Sequence, residues 1–526
     1  MRDFHQPRRS AAVAGEAMAA TSHPLATLTA LDLLRAGGNA VDAAIAASAV
    51  LCVAEPHMTG IGGDCFALYA PKASGTPLAL NGSGAAPMKA TVEWYQEHGF
   101  KEIPVESVHA ATVPGAVDAW FTLLEKHGTK DMAELLAPAI RLAEDGVLVS
   151  PRPAWDFTAL ATKIRKDAGA ARVFMSAGRM PRLGERLKMP ALAQTFRRIA
   201  KEGRRGFYEG PVATDIVKRC NELGGLHALE DFARQRAEWI EPISGPYRGH
   251  SVFECPPNGQ GLAALMILRT LEGFDLAHAN EADRIHILAE ATKAAYRVRD
   301  AFFGDPRQVR VPVERFLTDA YAETVRRRID MSRASAAVAW DEPEHKHTIY
   351  LCVVDRDRNA ISFINSLFHE FGCGVFAAES GVMLHSRGSM FRTISGHPNA
   401  IAPGKRPLHT IIPGMLAKGG RAVMPFGVMG GNYQATGHAG VISRMLDEGL
   451  DPQQAAEAPR SFAFDGKLQL EATISAAIET DLARRGHVID RIAKPLGGCQ
   501  AIYIDHELGA LIGGSEPRKD GCAMGY

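Results

Sequence analysis

"EHKHTIYLCVVDRDRNAISF", residues 344–363, changes character at one position. The stretch before Thr348 is polar and charged. After it come the apolar run "IYLCVV", the polar turn "DRDRN" and a second run, "AISFI". Two short β-type runs around such a turn predict a hairpin. Thr348 stands at its start, and a threonine at the head of a strand is commonly nothing more than that. A second reading has a mechanism. A threonine at a free N-terminus can use its own α-amine as general base. That amine has an unperturbed pKa of about 8, so a useful neutral fraction exists near physiological pH. Thr348 is internal, so this chemistry requires a cut between His347 and Thr348.

Outward from the hairpin, the last third of the chain is strand-rich; "QAIYIDHELGALIGGS" (500–515) reads as another hairpin. The middle, roughly residues 110–345, reads as mainly helical, as in "MAELLAPAIRLAEDG" and "EADRIHILAEATKAAYRVRDAFFGDP". Near the N-terminus, Ser22 is a cap candidate before a proline. Leu28, Leu31 and Leu34 then recur at helical spacing, and Gly37-Gly38-Asn39 stops the helix. A second, alanine-rich helix over about 41–53 is apolar almost all round, which predicts burial. This order of elements predicts an α+β chain with sheets covered by helices.

A chain of 526 residues amounts to two to four domains or one large layered one. It can bury roughly 75% of its unfolded surface and needs no staples. Lys plus Arg balances Asp plus Glu at 59 each, which gives no reason to expect nucleic acid or an anionic membrane as partner. No apolar run reaches membrane-spanning length. No signal-type apolar core follows the N-terminal arginines, so the expected location is the cytoplasm. The eight cysteines are scattered without a CxxC pair, which predicts buried, reduced thiols rather than a zinc site.

Three further stretches could carry chemistry. "TGIGGD" (59–64) fits neither dinucleotide nor P-loop spacing and follows a helix, so it reads as a structural turn. His286 and Glu290 in "HILAE" lie one helical turn apart, half a metal site with no third ligand in view. The adjacent Gly430 and Gly431 of "MGGN" can present two backbone N–H groups to a developing oxyanion, although glycine pairs more often serve turns.

Six segments together resemble the gamma-glutamyltransferase (glutathione hydrolase) family of N-terminal-nucleophile hydrolases. They are "SHPLATLTALDLLRAGGNAVDAAIAASAVLCVAEPHMTGIGGDCF", "ATVPGAVDAW", "AEATKAAYRVRDAFFGDP", "FGCGVFAAESGVML", "PGKRPLHTIIP" and "GGSEPRKDGCAMGY", in the family's order. The resemblance implies a four-layer αββα sandwich made as an inactive proenzyme. It implies self-cleavage before Thr348 into a large subunit, 1–347, and a small one, 348–526, which stay together. The new N-terminal threonine would attack an amide carbonyl and pass the acyl group to water or an amine. Gly430 and Gly431 match the family's oxyanion glycines. Ser366 matches a family threonine that supports the nucleophile. The resemblance implies a small-molecule amide as substrate and no metal or organic cofactor, and it leaves room for a homo-oligomer.

The sequence departs from the glutathione-using members at the substrate. Ser83, in "NGSGAAP", replaces an arginine that holds the glutamyl α-carboxylate. Met390, in "LHSRGSMF", replaces an aspartate that holds the α-ammonium, and Arg387 replaces a glutamine. Phe368 replaces an asparagine, His409 and Thr410 replace a serine pair, and Ile349 replaces a second threonine. A buried ammonium needs an acceptor, and methionine supplies none. Losing one partner of a buried charge pair costs about 3–5 kcal/mol. Arg387 favours a carboxylate instead. The expectation is an acyl group bearing a carboxylate without an α-ammonium, as in dicarboxylic monoamides, with Arg387, His409, Thr410 and Ser83 around it. The rival readings are an uncleaved, inactive relative acting as a binding protein, and an ordinary glutathione hydrolase.

Overall fold

The computed structural model describes residues 5, 7–336 and 348–526. The strands that build the sandwich are β1 (Ala12–Ala14), β2 (Met18–Thr21), β3 (Asp64–Ala70), β4 (Leu78–Gly82), β5 (Glu238–Ile240), β6 (Ile243–Tyr247) and β7 (His250–Glu254), then β8 (Ile349–Val354), β9 (Ala360–Ser366), β10 (Gly414–Lys418), β11 (Arg421–Met429), β12 (Gly498–Asp505), β13 (Ala510–Ser515) and β14 (Cys522–Gly525). They form two seven-stranded sheets, ordered β14-β2-β8-β9-β3-β4-β5 and β1-β13-β12-β11-β10-β7-β6. Both expected hairpins are present, as β8–β9 and β12–β13. The mainly helical middle also contributes β5 and β6, which each edge one sheet, and β7, which lies between β6 and β10.

The period-two alternation of β8 explains the layering. Ile349, Leu351 and Val353 join the core beneath helices α1 (Pro24–Arg35) and α2 (Ala40–Ala54). Tyr350, Cys352 and Val354 join the core between the sheets. Both faces are covered, so the strand reads as a continuous apolar run. On the far side, Leu416, Met424, Phe426 and Val428 pack against helices α3 (Gly261–Leu271), α4 (Glu281–Phe302) and α5 (Gln434–Glu448). The result is the αββα sandwich.

Every residue of α2 is buried, as its apolar circumference predicts. Asn39 caps it, accepting from Val41 and Asp42 N–H while Asp42 accepts from Asn39 N–H. The cap of α1 differs from expectation. Pro24 occupies the first turn, so the cap falls on His23, whose Nδ1 accepts from Leu25 N–H at 3.2 Å. Ser22 instead donates to the buried carboxylate of Glu55. All eight cysteines are unpaired, seven of them buried. Among the described residues no helix is long and apolar enough to cross a membrane.

Candidate active site

Register places the nucleophile candidate. Ile349 pairs with Asn365, so Thr348 falls opposite Ser366. Their hydroxyl oxygens lie 3.0 Å apart, and both residues are buried. Ser366 Oγ also accepts from Phe368 N–H at 2.8 Å. That amide occupies one lone pair and leaves the other lone pair and the O–H for Thr348. Phe368 adopts a left-handed φ of 73°, which is costly for a bulky residue and tolerated where the surroundings over-determine it. His347 lies outside the described residues.

The facing sheet brings the glycine pair to the same end. A Cβ on Gly427 would strike the Tyr350 ring, and Ser362 Oγ donates to the Phe426 carbonyl at 3.1 Å. β8 and β11 therefore cross in opposite directions, and the start of one lies over the end of the other. At that end Gly430 takes φ 123° and Gly431 φ 57°, backbone that favours glycine. A Cβ on Gly430 would meet Gly497 Cα at 2.9 Å. Neither glycine N–H donates to another described residue.

Arg387 and Thr410 come together as the sequence suggested. Arg387 is 1% exposed, its Nη1 donates to Thr410 Oγ1 at 2.9 Å, and its guanidinium carbon lies 3.7 Å from the centroid of the Phe368 ring. Its Nε and Nη2 have no hydrogen-bond partner among the described residues. Burial brings its pKa down to about 9, with Asp64 pulling the other way, so it is a cation at neutral pH. A buried guanidinium with two open donors is an incomplete arrangement.

Asp64 is the residue the sequence reading passed over. It is fully buried at the head of β3 and accepts from Gly84 N–H at 2.9 Å, Gly115 N–H at 3.1 Å and His409 Nε2 at 2.9 Å. His385 Nδ1 stands 3.4 Å away. Burial opposes its ionisation, but His385, His409 and Arg387 outweigh that and hold it below the usual carboxylate range. His409 is driven down to about 3 by burial and then by Arg387, so it is neutral. Its Nε2–H is spent on Asp64 and its Nδ1 accepts from Ile411 N–H at 3.3 Å. His409 therefore fixes the wall of the site. Ser83 is likewise structural in its contacts: its hydroxyl donates to the Gly84 carbonyl and accepts from Asn258 Nδ2 at 3.2 Å. The signal for Asp64 was a lone acid opening the otherwise apolar strand "DCFALYA", because a buried acid demands partners.

The remaining stretches sort plainly. "TGIGGD" is a tight turn; a Cβ on Gly62 or Gly63 would collide with the Met383 or Ser366 carbonyl. His286 and Glu290 do gain a third neighbour, His487, with candidate ligand atoms within 4.8 Å of one another. The two rings are hydrogen-bonded to each other at 2.8 Å. Glu290 holds the Lys293 ammonium at 2.7 Å and accepts from Ser335 N–H, so a cation already fills the charge-neutralising position.

The sequence profile described as gamma-glutamyltranspeptidase matches residues 26–526. The glutathione hydrolase-like YwrD proenzyme of Bacillus subtilis is 37% identical over 97% of this chain and 98% of its own. The oxamate amidohydrolase proenzyme of Klebsiella pneumoniae is 35% identical over 98% of this chain and 100% of its own. In structure, the chain is similar to the cephalosporin acylase from Bacillus halodurans, with a TM-score of 0.93 and 40% identity over 100% of this chain and 99% of that one. Family profile, fold and full-length relatives agree: the chain belongs to the gamma-glutamyltranspeptidase family, as an amidohydrolase or acylase proenzyme of the N-terminal-nucleophile type.

Proposed function

We propose that the chain cuts itself between His347 and Thr348, giving subunits 1–347 and 348–526, and then hydrolyses the amide of a dicarboxylic monoamide such as a glutaryl or oxalyl amide. In the first step Thr348 Oγ1 attacks the His347 carbonyl carbon. The peptide C–N bond breaks as the ester forms, the hydroxyl proton passes to nitrogen and the threonine α-amine is freed; water then hydrolyses the ester to the His347 carboxylate and the Thr348 hydroxyl. In turnover that amine takes the Thr348 hydroxyl proton as Oγ1 attacks the substrate carbonyl. The substrate C–N bond breaks, the proton passes to the leaving amine, and water hydrolyses the acyl-threonine ester. Ser366 orients Thr348. The N–H groups of Gly430 and Gly431 receive the oxyanion; losing one such donor costs about 3–4 kcal/mol of barrier elsewhere.

The observation that carries the substrate reading is Arg387: buried, charged and with Nε and Nη2 open. A carboxylate would complete its donor fork. Thr410 holds the guanidinium in place. Met390, buried nearby in sequence, offers nothing to an α-ammonium.

The test is steady-state hydrolysis of glutaryl and γ-glutamyl anilides by the mature protein. The reading predicts a kcat/KM about 100-fold or more in favour of the glutaryl compound, the equivalent of about 3 kcal/mol. Faster turnover of the γ-glutamyl compound would contradict it.

A further inference from the structure

The Gly430–Gly431 turn poses a physical problem. Only glycine permits its backbone, yet glycine is the residue least able to hold a conformation by itself. Donors aimed at a developing charge are useful only when pre-organised. The turn has two backbone restraints of its own, Tyr433 N–H to the Gly430 carbonyl at 3.0 Å and Gln434 N–H to the Gly431 carbonyl. Neither ties the turn to the rest of the site; Gln260 does so, through the Gly431 carbonyl.

Gln260 is fully buried. It stands at the N-terminus of α3, but its side chain makes no cap. Nε2 reaches away and donates to two carbonyls, Gly431 at 2.9 Å and Thr410 at 2.8 Å. Oε1 accepts from Arg299 Nη1 at 3.3 Å. The same Nη1 donates to Asn432 Oδ1 at 2.8 Å, and Tyr296 donates its hydroxyl to the Asn432 carbonyl. The Gln260 backbone N–H is tied to the His409 carbonyl at 2.9 Å. Two donors and one acceptor at this reach describe a glutamine. A carboxylate would face two carbonyls, and an ammonium would face a guanidinium.

We propose that Gln260 is a positioning residue: one side-chain amide, braced by Arg299, fixes the orientation of the Gly430–Gly431 turn and its spacing from Thr410, the residue that holds Arg387. Its side-chain hydrogen bonds run to Gly431, Thr410 and Arg299. The inference rests on the reading of the two glycines as the oxyanion site.

The test uses Gln260→Met, which keeps the length and loses the hydrogen bonds, beside Gln260→Ala. Two readouts are needed. The first is hydrogen–deuterium exchange of the peptide spanning residues 426–434 in the mature protein, with a peptide from α2 as internal reference. The second is kcat and KM on whichever acyl anilide the unaltered protein turns over. Gln260 as strut predicts exchange in the turn at least fivefold faster with the α2 peptide unchanged. It also predicts kcat at least tenfold lower with KM within about threefold. Unchanged exchange in the turn overturns the proposal whatever the kinetics, as does a kcat within twofold of the parent. If a variant stays uncut, its exchange is compared with that of uncut Thr348→Ala, and the same criterion decides. If the unaltered protein hydrolyses no anilide, the dicarboxylic-monoamide reading fails, and the exchange measurement still decides the role of Gln260.

Discussion

Phe368 touches both halves of the candidate site: its N–H donates to Ser366 Oγ at 2.8 Å, and its ring lies under Arg387 at 3.7 Å. The residue that bonds the hydroxyl neighbour of the candidate nucleophile therefore also carries the guanidinium. This coupling explains why an aromatic side chain sits here in a left-handed conformation, φ 73°. Because its backbone serves Ser366 and its ring serves Arg387, the two halves can still be probed separately through substitutions at Arg387 and Ser366.

Arg387→Ala should raise KM for a glutaryl anilide about 100-fold or more, with the smaller effect on kcat. Arg387→Lys should recover only part of the loss. A lysine carries one compact charge and cannot at once bond Thr410, lie flat on Phe368 and present a planar fork. Steady-state kinetics on the two variants checks both statements, and equal KM values across all three proteins would contradict them.

Ser366→Ala removes the hydroxyl 3.0 Å from Thr348 Oγ1 and the oxygen that accepts from Phe368 N–H. Losing buried hydrogen bonds of this kind costs about 1–3 kcal/mol, so kcat should fall about 10- to 100-fold while KM changes little. Ser366→Thr keeps the hydroxyl and should restore most of the rate. A threonine variant as slow as the alanine variant would remove the hydroxyl from the account.

The fold should be acid-labile in the histidine range. Burial lowers His23, His227 and His487 from 6.5 to about 4, and His409 to about 3. The unfolded chain binds these protons first as pH falls, so stability present above about 6.5 is lost progressively toward pH 4. Glu55 acts oppositely. Burial raises it to about 7, so its contribution is largest in acid and declines between pH 4.5 and 7. Four histidines outweigh one glutamate, and Tm should drop by several degrees from pH 7 to pH 5. A Tm that holds flat to pH 5 and drops only in the carboxylate range would contradict this.

What the sequence revealed was local or shared by kinship. The β8–β9 hairpin was legible because alternation and turn residues are near neighbours, and its register alone sets Thr348 against Ser366. The Gly430–Gly431 pair was legible because two adjacent glycines leave their N–H groups uncovered. Asp64 was not: its partner His409 lies 345 residues on, and the preceding glycines drew the reading to a turn. Gln260 was hidden for the same reason, since its carbonyl partners lie 150 and 171 residues away. The roles expected of Ser83 and His409 rested on matched positions. Their hydrogen bonds to Asn258 and Asp64 show that both polar groups are already engaged in the wall. Ser22 failed as a cap because Pro24 sets the first turn one residue later.

The central claim is that Thr348 becomes an N-terminus, and intact mass under denaturing conditions tests it most directly. The purified protein should resolve into two chains meeting between His347 and Thr348, and Thr348→Ala should remain one chain. A single uncut chain in the unaltered protein under all conditions would contradict the account, because no free α-amine would then exist to serve as the base.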